Sequence, residues 1–178
     1  MLSEAAGDAV ATTTFSKVIP VGVSKTEHYQ GFLEVIDAAS TIVYNATQRF
    51  VPNYMLCARD VLNVLTFING WVAAPTTSIS GPYFAGTLNG LKVFVSPTVE
   101  SGRFILGVNN NEMNASAACY CPYMAIVPTQ LLGYADGTMS QGFSTLYDAK
   151  ILNKQLLVAG KITTDATSTS AVYGVVNA

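Results

Sequence analysis

Between Phe32 and Ala46 apolar side chains return every three or four positions, at Phe32, Val35, Ile36, Ala39, Ile42, Val43 and Ala46. Glu34, Asp37, Ser40 and Asn45 fall mostly off that stripe. This period predicts one amphipathic helix. Its start is written as Ser24-Lys-Thr-Glu27, a capping box in which the serine side chain and the glutamate carboxylate each satisfy an orphan N–H. Pro52 stops it, because a proline pushes the residue before it towards extended geometry. Asn53–Ala58 then reads as a short buried strand. Asp60 reads as the cap of a second helix that carries Val61, Val64, Leu65 and Ile68 and ends at Asn69-Gly70.

Elsewhere the pattern is strand-like. Residues Gly7–Val23 alternate loosely and are rich in Thr and Val, which predicts an entering strand or arm. From Ala73 to Gly86 the chain is rich in Pro, Thr, Ser and Gly and reads as a long surface loop. Asn89-Gly90, between Thr87-Leu88 and Leu91–Val95, favours the positive φ angles of a type I′ hairpin turn. Pro97 closes that hairpin, and Arg103–Val108 forms another strand. After polar Asn109–Asn114 and a short helical turn at Ala115–Ala118, Cys119–Val127 is an apolar, aromatic strand. Pro122 places it at an edge or a bulge. Gln141–Tyr147, Gln155–Ile162 and Ala171–Val176 read as further strands. No repeat and no domain linker interrupts this mixture of helices and strands.

Composition turns the argument towards partners. A chain of 178 residues suits one domain, or one domain with a smaller lobe, and needs neither disulfide nor metal to bury a core. Charged residues make up only 11% against about 25% in an ordinary soluble protein, while apolar residues reach 50%. The surface must therefore carry much neutral or apolar area, and large patches of that kind meet other proteins. No continuously apolar window is long enough to cross a membrane: Val61–Ala74 contains Asn63, Asn69 and Gly70, and Ala117–Val127 is broken by Pro122. Met1–Val10 carries Glu4 and Asp8 without a basic region, unlike a signal peptide. With a net charge of −2 and nine scattered Lys and Arg, there is no basic stripe for a phosphate backbone, so direct nucleic-acid binding is not expected.

The inventory of reactive groups is thin. His28, the single histidine, follows the capping-box glutamate and reads as a solvated side chain in a first helical turn. Cys119 and Cys121 have no second Cys or His pair for a zinc cluster, and they lie too far apart along a strand for an easy disulfide. With Cys57, they read as small core hydrophobes in a reducing compartment. Asn89-Gly90 lacks the helix a phosphate loop requires, and Glu34 with Asp37 reads as a solvated face. No catalytic, cofactor-binding or metal-ligating residue is assigned, and no cofactor. Tyr83, Phe84, Tyr120, Tyr123, Tyr134, Phe143 and Tyr147 divide about evenly between core packing and subunit contact on this reading.

In order along the chain stand Ala46–Phe50 (Ala-Thr-Gln-Arg-Phe), Ala85–Val95 (Ala-Gly-Thr-Leu-Asn-Gly-Leu-Lys-Val-Phe-Val) and Phe104–Val108. Cys121–Pro128 and Gly142–Tyr147 follow. This succession resembles the later part of the major capsid proteins of tailed bacteriophages, in the T-even-like group, from Thr26 to Asp148. The resemblance implies an α+β chain of the Hong Kong 97-like fold, with an axial-domain sheet flanked by helices and part of a peripheral domain. It implies an entering strand or arm at residues 1–23, an axial-type domain at 24–126 and return strands of the peripheral type at 127–178. The role implied is that of a non-enzymatic structural subunit of an icosahedral virion capsid, assembled in the host cytoplasm. Its partners would be copies of itself in hexamers and pentamers, with scaffolding, portal or decoration proteins. It would enclose DNA without sequence-specific binding and without a membrane.

Thr76–Pro82 and Asn109–Asn114 would face neighbours or the capsomer centre. Such proteins are usually much longer, and this chain shows no stretch for their extended arm, projecting hairpin loop or spine helix, and no cleavage motif. It reads as a piece or a short form of one. The rival readings are a phage decoration, tail or surface-adhesion module, and an enzyme using Cys57 or His28.

Overall fold

The first helix among the described residues, α1 (Lys25–Thr47), follows the apolar stripe almost residue for residue. Ser24 caps it: the amide of Glu27 donates to Ser24 Oγ at 3.2 Å, and Gln48 ends it in the left-handed region at φ 56°. The computed structural model describes residues 12–75, 81–110 and 115–163. The inward face of α1 carries Phe32, Val35, Ile36, Ala39 and Val43, and extends back to His28 and Tyr29. The second helix, α2 (Arg59–Leu65), buries Val61, Leu62, Val64 and Leu65. Its start differs from expectation. Ala58 holds the cap position with no side-chain bond, and the Asp60 carboxylate instead accepts from Ser101 Oγ at 2.8 Å.

Seven strands form one mixed sheet. They are β1 (Thr12–Ser16), β2 (Tyr54–Cys57), β3 (Trp71–Ala73), β4 (Tyr83–Leu88), β5 (Leu91–Val95), β6 (Arg103–Gly107) and, as the last strand of the chain described, β11 (Leu157–Thr163). The order is β1-β11-β6-β2-β5-β4-β3, with β1 parallel to β11, β2 parallel to β5 and the other pairs antiparallel. The predicted hairpin is there: Asn89 and Gly90 take φ 48° and 87° between β4 and β5. The predicted loop at Ala73–Gly86 is in part a strand pair, since β3 and β4 pair through Ala73 and Gly86 and residues 76–80 lie outside the described residues. Gly86 needs to be glycine here. At φ 156° it sits where a Cβ would strike the Val72 carbonyl and the Trp71 ring, so a residue that reads as a loop signal marks close backbone approach inside a sheet.

The helix α1 lies against β1, β11 and the 3-10 turn Lys154–Leu156. Phe32 meets Phe104 of β6 edge-on at 5.2 Å and Phe15 of β1 at 5.1 Å. In the middle of the sheet, aromatics cover glycines across strand pairs: Phe104 opposite Gly160, and Tyr54 opposite Gly107. Residues 12–16 and 157–163 thus share one sheet with residues 54–107. The strand predicted at Ala171–Val176 lies outside the described residues.

Candidate assembly surface

Between β6 and β11 the chain leaves the sheet. Strands β7 (Ala118–Pro128) and β10 (Phe143–Ile151) pair antiparallel as a separate two-stranded ribbon, with a small hairpin of β8 (Leu132–Gly133) and β9 (Met139–Ser140) between them. Eleven residues of β7 at about 3.3 Å each make it roughly 35 Å long. Its base is fastened to the body by the amide of Ala117 on Val108 O at 3.1 Å and that of Leu152 on Ala117 O at 2.9 Å. At its far end Thr138 donates through N and Oγ1 to Asp136 Oδ1 at 3.0 and 2.6 Å, which holds the Asp136 carboxyl below the usual carboxylate range.

Almost nothing on the ribbon is buried. Tyr123 is 86% exposed, Ile126 71%, Phe143 70% and Tyr120 61%. A two-stranded ribbon is marginal on its own in water, and a face this apolar is stable only when something covers it. Near the base, where the register is regular, Tyr147 lies opposite Pro122 and Ala149 opposite Tyr120, so these four share one side, and the Tyr120 and Tyr147 rings stand 5.5 Å apart. Farther out the register shifts between Leu146 and Tyr147, next to Pro122, which agrees with the bulge expected of that proline.

The seven aromatics singled out from the sequence do not divide evenly. Tyr120, Tyr123, Phe143 and Tyr147 on the ribbon and Tyr134 in its small hairpin are all more than half exposed, while Phe84 is partly exposed on the sheet. Tyr83 is half-buried and accepts from Arg59 Nη1. Of the two loops expected to face neighbours, residues 76–80 and 111–114 lie outside the described residues. His28 is not solvated. It is 1% exposed, its Nε2 bonds the Ser16 carbonyl at 2.8 Å and its ring packs on Phe15 at 5.2 Å. The signal was present, since His28 stands four residues before Phe32 and continues the same stripe.

Cys57 is fully buried, as expected, and its thiol is pushed up to about 12 by burial first and the Asp60 charge second. That is the reverse of a nucleophile's environment. Cys119 and Cys121 are not core residues: the first is half-buried and the second exposed. Their sulfurs stand 3.4 Å apart. The hydrogen bond and charge of Cys119 hold the Cys121 thiol above its ordinary value. Among the described residues there is no cluster of three or more His, Cys, Asp or Glu able to hold a metal ion, and no helix long and apolar enough to cross a membrane.

The sequence profile of the family described as major capsid protein Gp23 matches residues 2–177. The chain belongs to that family. Over 131 residues it is 27% identical to the major capsid protein of Enterobacteria phage T4, an alignment covering 68% of this chain and 25% of the relative. The major capsid protein of Enterobacteria phage T6 is likewise 27% identical over 131 residues, covering 68% of this chain and 26% of the relative. The chain thus spans about a quarter of the length of these relatives. Among solved structures, the virus-like particle from Pyrococcus furiosus is similar at a TM-score of 0.53 and 12% identity, over 89% of this chain and 62% of that one. A chain from Mycobacterium phage Che8 is similar at 0.52 and 13%, over 89% and 56%. These are likenesses of fold. The family is one of major capsid proteins, which are structural proteins.

Proposed function

We propose that this chain is a structural subunit of an icosahedral phage capsid, and that its copies join through the aromatic side of the β7–β10 ribbon. The observation that carries the proposal is that ribbon: a long, paired, apolar element of a capsid-family chain, exposed on both strands. In a shell built of many copies, each such element is covered by a neighbour and the binding energy is summed over repeated, closed contacts. On this reading the sheet-and-helix body is the axial-type part of a Hong Kong 97-like fold and the ribbon belongs to the peripheral-type part. Capsomers are hexamers and pentamers, the shell surrounds DNA without reading it, and the virion is its location. Scaffolding, portal or decoration proteins would meet the outer or inner surface of the shell. A decoration, tail or adhesion module is not favoured, because the family match runs through nearly the whole chain.

Light scattering over a concentration series, with negative-stain imaging of large species, tests this. Rings, sheets or shells are expected, and a variant carrying Tyr120→Ser and Tyr147→Ser should shift the onset of association to at least tenfold higher concentration. A strict monomer at every concentration would overturn self-association through the ribbon and point to further polypeptide as its cover.

A further inference from the structure

The side of the ribbon away from Tyr120 and Tyr147 carries different chemistry. Residues two apart on a strand project from the same side, which brings Cys119 and Cys121 together with their sulfurs in contact at 3.4 Å. Their cross-strand partners, Lys150 and Asp148, occupy that same side and are exposed. Cys121 is exposed and Cys119 half-buried, so an ion reaches the sulfurs from solvent.

Two thiolates about 2.3 Å from one tetrahedral zinc ion stand roughly 3.8 Å apart. Opening the observed separation by a few tenths of an ångström, through small side-chain rotations, is enough to give a two-sulfur bite. Closing the pair into a disulfide demands more. The sulfurs would have to approach to about 2.05 Å, with Cα atoms two apart on an extended strand near the outer limit that such bonds span. Soft thiolate donors select thiophilic ions. The geometry points to a vicinal dithiol at Cys119 and Cys121 that chelates one thiophilic centre, a soft metal or trivalent metalloid ion, through both sulfurs. The site stands apart from the assembly reading, since neither sulfur belongs to the aromatic side.

Phenylarsine oxide is a suitable probe. Two As–S bonds form, the arsenic–oxygen bond breaks, and the two thiol protons leave with the oxygen as water; arsenic stays trivalent, so no oxidant is needed. The full chain, reduced with a phosphine, is mixed with the probe, desalted and weighed intact. One phenylarsenic group per chain is expected, retained against a large excess of mercaptoethanol and removed by dimercaptopropanol. Cys119→Ser and Cys121→Ser should each abolish the retained adduct, while Cys57→Ser keeps it. Both ribbon positions are at least partly exposed, so the serine variants should show the parent's circular dichroism. Absence of the adduct, its removal by mercaptoethanol, or its survival in either ribbon variant would overturn the assignment.

Discussion

Replacing Gly160 by alanine puts a methyl group where the Phe104 ring already lies. The two residues are directly opposite across β11 and β6, and a Cβ at position 160 would overlap three atoms of that ring. Backbone strain is not the issue, because Gly160 does not occupy the left-handed region. Space is. Phe104 is fully buried and held edge-on against Phe32 at 5.2 Å and 86°, so the ring has no solvent-side position to turn into. Overpacking of this kind costs about 1–3 kcal/mol, and a caged ring puts Gly160→Ala near 3 kcal/mol. Alanine recovers about 0.4–1 kcal/mol by restricting the unfolded chain. A net loss of about 2 kcal/mol remains, which for a chain of this size lowers Tm by about 4–8 °C. Urea unfolding followed by the fluorescence of Trp71, the single tryptophan, measures it. The double variant Gly160→Ala with Phe104→Leu should lose at least about 1 kcal/mol less than the sum of the single losses, because the smaller side chain vacates the space the methyl group needs. A Gly160→Ala chain as stable as the parent, or strictly additive losses, would refute the packing argument.

Three further perturbations follow from local geometry. Ser24→Ala removes the oxygen that accepts the Glu27 amide and should cost about 1 kcal/mol in the same urea assay. Gly90→Ala meets no atom within 4 Å but must adopt φ near 87°, so its cost of about 1 kcal/mol should be purely conformational, and Gly90→Asn should cost less. Cys57 keeps its proton up to about pH 12 in the folded chain, whereas an ordinary thiol loses it near 9.0. Above pH 9 the unfolded state therefore binds fewer protons, and stability falls by up to about 1.4 kcal/mol per pH unit from this group as pH rises towards 12. Cys57→Ala should flatten that part of the stability–pH curve while leaving the same-sign contributions of Tyr29 and Tyr54, whose hydroxyls burial also pushes up.

Much of the body was legible because its signals are local. The stripe from Phe32 to Ala46 needs only the helical period, and Asn89-Gly90 needs only its own backbone preferences. Errors arose where a local signal had a distant cause. Gly86 resembled a loop residue because nothing in the sequence shows the Val72 carbonyl pressed against it. His28 resembled a solvated residue because nothing nearby in the chain shows β1 lying over it. The Cys-Tyr-Cys run resembled core because apolar strands usually are core; among the described residues its only partner strand is β10.

By itself, then, the sequence determined the main helix, the type I′ hairpin, the uncharged surface and the family. Periodicity, turn chemistry and composition are properties of neighbouring residues. Only the tertiary structure decided that residues 12–16 lie beside 159–163, that the ribbon leaves the sheet with both strands exposed, and that two sulfurs meet on the side away from Tyr120 and Tyr147. Burial depends on which distant segment arrives to cover a face, and an apolar pattern states that a face must be covered without stating by what.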